Sequence, residues 1–304
     1  MRMGFSLPQY GDMATPDAVE RFARTIESAG AESFWVGDRA LCPAAPTRGF
    51  GGTPPRPFPD QFRKVLDPFA VLATAASCTE RARIGTSVLN ATWYPPLLLA
   101  RSLATVDLLS RGRLVPGFGS GWSPDEFAAL GIPSSGLGAR LDEVLDVLDA
   151  VWSEGTTSHV GALWTVPPSH FDLISNRSSG PPIYLGGFSP AALARVGRRA
   201  DGWLPTIRLP DRTRVDDLCG MLATIRREAE RAGRDADAVD VVLRVDASPG
   251  TPSSLIVDTL EEVEQLTGIS HAFVELLLLA QDVEEAIDIA TTLLETADKG
   301  AQTQ

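Results

Sequence analysis

Short apolar runs, rich in β-branched and aromatic residues, alternate with longer amphipathic stretches along the whole chain. The short runs read as strands. They span 3–7, 33–37, 82–89, 114–117, 183–185, 202–205, 239–245 and 272–279. The longer stretches place apolar residues at helical spacing, as Leu141, Val144, Leu145, Leu148 and Val151 show within 137–152. Helices are predicted over 16–28, 67–77, 96–109, 137–152, 190–199, 212–232, 257–266 and 283–294. Thr15 stands where an N-cap belongs, and Gly30 and Gly233 follow their helices as stops. The tail after Thr296 is polar and is expected to fray.

No strand is joined to the next by a two-residue turn. Strands that alternate with helices in this way predict a parallel sheet with crossover helices. Units in this number, in a chain of 304 residues, suit an α/β fold of the (β/α)8 TIM-barrel type with inserted loops. A doubly wound sheet is the structural competitor. It is weakened because Ser6-Leu7-Pro8-Gln9-Tyr10-Gly11, and no G-x-G-x-x-G, follows the first strand. No boundary divides the chain, so residues 1–304 are expected to form one domain. The segment 41–63 is rich in Pro and Gly and lacks periodicity. Long loops of this kind in compact domains are lids or binding loops. The segment 153–182 is a second irregular insertion, expected to carry a small hairpin.

Composition narrows the function. Apolar residues make up 44% of the chain, enough for a substantial core, and 27 basic residues stand against 39 acidic ones. The net charge of −12 argues against nucleic acid or an anionic membrane surface as partner. Cys42, Cys78 and Cys219 are widely spaced and odd in number, with neither a disulfide nor a zinc pattern, as in a reducing cytosol. The N-terminus has no long apolar stretch, so no signal peptide is expected and a cytoplasmic location follows. No apolar run reaches the roughly 18 residues of a membrane span.

In a barrel of this type, ligands bind at the C-terminal ends of the strands. Asp38 and Arg39 follow the second strand, as candidates for proton transfer and for an anion contact. Their plain alternatives are a turn cap for Asp38 and a solvated or salt-bridged loop residue for Arg39. Gly117-Phe118-Gly119-Ser120-Gly121-Trp122 follows the fourth strand. Its alternating glycines let a backbone approach a flat ring or a phosphate, or simply make a turn. Gly186-Gly187-Phe188-Ser189 leads into a helix, where free N–H groups favour an anion; a capped turn is the alternative. Arg208 is a further anion candidate. His159, His170 and His271 read as structural, and no metal cluster, Ser-His-Asp arrangement or P-loop is visible.

Taken together, T-E-R-A-R-I-G-T-S-V-L-N, S-R-G-R-L-V-P-G-F-G-S-G-W and P-P-I-Y-L-G-G-F-S resemble the bacterial luciferase-like flavin and deazaflavin oxidoreductases. The resemblance runs from G-F-S-L-P to the eighth strand. It implies a TIM barrel and a tricyclic cofactor, with coenzyme F420 as first choice and FMN as alternative. It implies a non-prolyl cis peptide at Ser87-Val88 behind the ring, where the plain alternative is an ordinary strand end. Asn90, Gly119 and Ser120 would stand near the ring, and Gly186, Gly187, Phe188 and Ser189 near the cofactor phosphate. Asp38 carries over as a cofactor contact. The family usually shows His at the next position, where this chain has Arg39. Trp122 stands where some members place a carboxylate, and predicts an aromatic wall. Arg39, Trp122 and Arg208 are the substrate-side candidates, while Glu126 reads as structural. The resemblance implies hydride transfer between F420 and a small organic substrate. It also leaves open an FMN-dependent monooxygenase that uses O₂ and a separate reductase, and a barrel that binds ligand without turnover. A homodimer is implied by resemblance alone.

Overall fold

In the computed structural model, which describes residues 1–153, 155–173 and 180–302, the apolar runs become strands of a closed parallel barrel. Strand β1 (Arg2–Ser6) lies between β2 (Ser33–Val36) and β8 (His271–Glu275). Four strands are split in two: β3 (Arg83–Thr86, Leu89–Asn90), β4 (Leu114–Val115, Gly117–Gly119), β6 (Gly202–Leu204, Thr206–Leu209) and β7 (Asp240–Val241, Leu243–Ala247). Strand β5 (Tyr184–Gly186) completes the ring. In β4 and β6 the break falls at a proline, Pro116 and Pro205, which has no N–H to give to a ladder. The halves then change partners. Gly202–Leu204 pairs with β5 and the start of β7, whereas Thr206–Leu209 pairs with the later part of β7.

Helices α1 (Pro16–Ser28), α2 (Pro68–Cys78), α3 (Pro96–Leu109), α5 (Leu137–Val151), α6 (Pro190–Arg199), α7 (Leu218–Arg231), α8 (Ser253–Thr267) and α9 (Val283–Gln302) follow the strands. A short α4 (Pro124–Ala129) lies after β4. The N-termini of α1, α2 and α6 share one device: Thr15, Asp67 and Ser189 each accept an N–H, and proline follows. Between strands and helices lies the main apolar core. Inside the barrel Trp35, Val115, Tyr184, Leu204, Val242 and Phe273 form a second cluster, in which Trp35 stacks on Phe273 at 4.9 Å. That plug is the ground on which the site is built.

Several boundaries differ from expectation for physical reasons. Strand β6 runs past Pro205 to Leu209 because its second half finds a new partner. Helix α7 starts at Leu218 and not at 212, since the chain first passes a cis Leu209–Pro210 bond and positive φ at Arg212 and Arg214. Strand β8 stops at Glu275, where Leu279 N–H and Ala280 N–H both turn back to the Leu276 carbonyl. Helix α9 continues through the polar tail to Gln302. In the second insertion, Thr156–Val160 and Thr165–His170 form the expected antiparallel hairpin. Residues 154 and 174–179 of that insertion, and the last two residues of the tail, lie outside the described residues. Among the described residues no helix is long and apolar enough to cross a membrane.

Candidate functional site

A cavity of about 440 Å³ opens at the C-terminal ends of the strands, above the aromatic plug. That volume is within the range of small-molecule sites, about 300–1,000 Å³. The barrel brings most of the predicted residues to it. Asp38, Arg39, Ser87, Val88, Asn90, Gly119, Ser120, Trp122, Gly186, Gly187, Phe188 and Arg208 all border the space. Ser189 does not. Its hydroxyl accepts Ala192 N–H at 3.2 Å and serves as the α6 cap.

The floor is shaped by volume. The Ser87–Val88 bond is cis. A Cβ on Gly119 would come within 2.7 Å of Val88 Cγ2, and one on Gly186 within 3.2 Å of Val88 Cγ1. These two glycines leave the room that the Val88 side chain fills. Gly187, with φ +127°, takes a backbone path open to glycine alone, and its carbonyl accepts the Trp203 indole N–H at 3.1 Å.

Asp38 is held from three directions. Its Oδ2 accepts Asn90 N–H at 2.8 Å, its Oδ1 accepts the Tyr94 hydroxyl at 3.1 Å, and its carbonyl accepts the Asn90 amide at 3.1 Å. Burial pushes its carboxyl up to about 6, against the pull of the Asn90 and Tyr94 hydrogen bonds; the nearby Glu126 charge adds to the rise. A carboxyl raised in this way beside a cavity can take or give a proton.

Arg39 departs from its expected role. Its guanidinium is buried against Glu126, with Nη2–Oε2 at 2.5 Å and Nε–Oε1 at 3.2 Å. Phe58, Phe62 and Trp122 surround it, each ring centroid about 5 Å from the guanidinium carbon. Its charge is already compensated, so the geometry offers no free anion site there. Glu126 also accepts Ala40 N–H at 2.9 Å, while its neighbour Asp125 accepts Thr47 N–H at 2.9 Å. Arg39 and α4 together tie down the first part of the 41–63 loop, and Trp122 packs against Phe50 and Phe58 as its aromatic wall.

The opposite wall holds Arg244 and Asp246, strand-end positions to which the sequence assigned no role, together with Tyr10, Arg214 and Glu275, which it did not single out. Arg244 donates to the Ser87 carbonyl at 2.8 Å, to Asp246 at 2.6 Å and lies 3.0 Å from Glu275. Burial alone would lower its pKa, but Asp246 and Glu275 outweigh that and push it up. Tyr10 also lines the cavity, its hydroxyl pushed up by burial and by the Glu275 charge. Arg214 lies over the Phe188 ring at 4.0 Å. A signal for two of these residues is present. In Leu243–Ala247 the charged Arg244 and Asp246 alternate with buried Leu243, Val245 and Ala247, so both point to the barrel interior.

The sequence profile of the luciferase-like monooxygenases matches residues 2–296. The chain belongs to that family. The phthiodiolone/phenolphthiodiolone dimycocerosates ketoreductase of Mycobacterium tuberculosis is 30% identical over 212 residues, which is 68% of this chain and 54% of the relative. The monooxygenase RslO1 from Streptomyces bottropensis superposes with a TM-score of 0.81 at 18% identity, over 97% of this chain and 98% of that one. The coenzyme F420-dependent tetrahydromethanopterin reductase from Methanopyrus kandleri superposes with a TM-score of 0.74 at 19% identity, over the same shares. At these identities the two structures establish the barrel. For this luciferase-like chain, membership establishes an oxidoreductase or monooxygenase class whose members include F420-dependent and flavin-dependent enzymes.

Proposed function

We propose that the protein is an F420-dependent oxidoreductase that moves a hydride between the deazaflavin and a small organic substrate. The observation that carries this reading is Asp38, a carboxyl at the cavity whose affinity for a proton is raised by burial. Interconversion of a carbonyl and an alcohol moves a proton as well as a hydride, so it needs such a group. The ketoreductase relative makes that substrate pair the first to try.

The residues present fit a tricyclic cofactor. Gly119 and Gly186 leave a shallow floor over Val88, and Gly187 and the start of α6 present backbone N–H groups suited to a phosphate. When bound, the deazaflavin supplies hydride exchange at its ring carbon. Asp38 accepts the hydroxyl proton in the oxidising direction and returns it in the reducing one. Tyr94, hydrogen-bonded to Asp38, holds the carboxyl in place. The aromatic wall of Phe50, Phe58, Phe62 and Trp122 excludes water from that exchange.

Fluorescence titration of the protein with F420, and in parallel with FMN, tests the reading. Micromolar or tighter F420 binding, with FMN at least about tenfold weaker, is the expected result. The reverse preference would overturn it in favour of a two-component monooxygenase, and binding of neither would remove the cofactor assignment altogether.

A further inference from the structure

The arginines of the cavity fall into two kinds. Arg39 and Arg244 are each matched by carboxylates. Arg208 and Arg214 line the same cavity, and among the described residues neither has an ion-pair partner. Burial lowers the Arg214 pKa and repulsion from Arg208 lowers it further, against the opposing pull of Asp217 and Asp246. Two like charges held together in a half-buried wall are costly unless an anion joins them.

A second cavity, of about 200 Å³, adjoins the first. The two share Phe50, Arg208, Arg244, Asp246, Glu275 and Leu277 as a common wall. The smaller space adds Leu209, Leu278 and, from the 41–63 loop, Arg56. Its carboxylates Asp246 and Glu275 both pair with Arg244, and Arg56 and Asp211 are exposed. The smaller space is thus a chamber with apolar walls and a charge-balanced edge, at which Arg208 has no ion-pair partner among the described residues.

We propose that the substrate is an organic anion, its carboxylate, phosphate or sulfonate held between Arg208 and Arg214 and its apolar body lodged in the smaller cavity against Leu209, Leu277 and Leu278. This rests on the functional reading above in one respect: the cofactor takes the larger cavity up to its Arg208–Arg214 edge, where the charged group of the substrate lies. Arg214, stacked on Phe188, is the fixed jaw. Arg208, common to both cavities, is the residue that couples substrate charge to the reaction chamber.

Two fluorescent probes of nearly equal shape test this. Anilinonaphthalene sulfonate carries an anion on an aromatic body; N-phenylnaphthylamine is its uncharged counterpart. Both are titrated into the protein, alone and saturated with F420. The sulfonate should bind at least about tenfold more tightly than the neutral probe, and more weakly at high salt. Arg208→Gln and Arg214→Gln should each remove most of that preference and leave the neutral probe and F420 unchanged. Arg208→Lys, which keeps the charge, should retain part of it. Circular dichroism melting identifies any variant that has not folded, and the other arginine then carries the test. Equal affinity for both probes, or a preference that survives both substitutions, would overturn the proposal. So would displacement of the sulfonate by F420 together with a matching loss of F420 affinity in the variants, which would assign these arginines to the cofactor phosphate. If F420 does not bind at all, the cofactor reading fails, and the probe ratio on the unliganded protein still decides the anion site.

Discussion

The two sides of the cavity are built on different principles. The floor, at the ends of β3, β4 and β5, is defined by volume: Val88 against Gly119 and Gly186. The rim, at the ends of β6, β7 and β8, is defined by charge: Arg208, Arg214, Arg244, Asp246 and Glu275. A floor of small residues suits any flat ring and discriminates little between rings. A rim of charges, some matched and some unmatched, discriminates strongly between substrates. The common part of a family's chemistry belongs on the first side, and its variable part on the second.

Three experiments sharpen that contrast. The largest effect is expected where charge is fully matched. Glu126→Gln leaves the Arg39 guanidinium buried without a counter-charge. It should lower stability by about 3–5 kcal/mol, read by urea denaturation. A loss below about 1 kcal/mol would mean that the aromatic rings alone hold Arg39.

On the floor the effect should be steric and local. Gly119→Ala sets a methyl 2.7 Å from Val88 Cγ2. Overpacking of this kind costs about 1–3 kcal/mol, so cofactor affinity should fall by roughly five- to a hundredfold. Adding Val88→Ala should restore most of it. Failure of the double variant to recover would show that the floor is not set by this contact.

The smallest effect is on the pH dependence. Folding raises the Asp38 carboxyl to about 6, so the folded state holds that proton more tightly than the unfolded chain does. The stability this adds is fully present below the unfolded carboxyl range and is lost as pH rises through about 6. The melting temperature of the protein, minus that of Asp38→Asn, should therefore fall between pH 4 and pH 7. A difference that stays flat across that window would remove Asp38 as a titrating group.

The same contrast governs what the sequence discloses. The order of strands and helices follows from hydrophobic spacing and from local caps such as Thr15 and Ser189, because those signals act within a few residues. The floor is legible for a similar reason: glycines and small residues at strand ends announce themselves locally. The rim is not. Arg244 meets Ser87 across 157 positions, and Arg39 meets Glu126 across 87. No periodicity encodes such pairs, so an anion contact and a salt bridge both stay open for Arg39 until the fold supplies Glu126. Strand β6 defeats the reading at Pro205 for another reason. Proline ends a strand only when the chain has no second partner to turn to, and here β7 provides one.

The fastening of the 41–63 loop bears on how such enzymes can be rebuilt. Asp125 and Glu126 of α4 grip the 41–63 loop at Leu41 and Thr47, and the approach to it at Arg39 and Ala40. The loop that closes the site after β2 is thus fastened by a helix that follows β4. A transplant of this loop into another barrel is not a single cassette. It requires α4 to travel with it, and a chimera that carries the loop alone inherits its aromatic rings without the clasp that orients them.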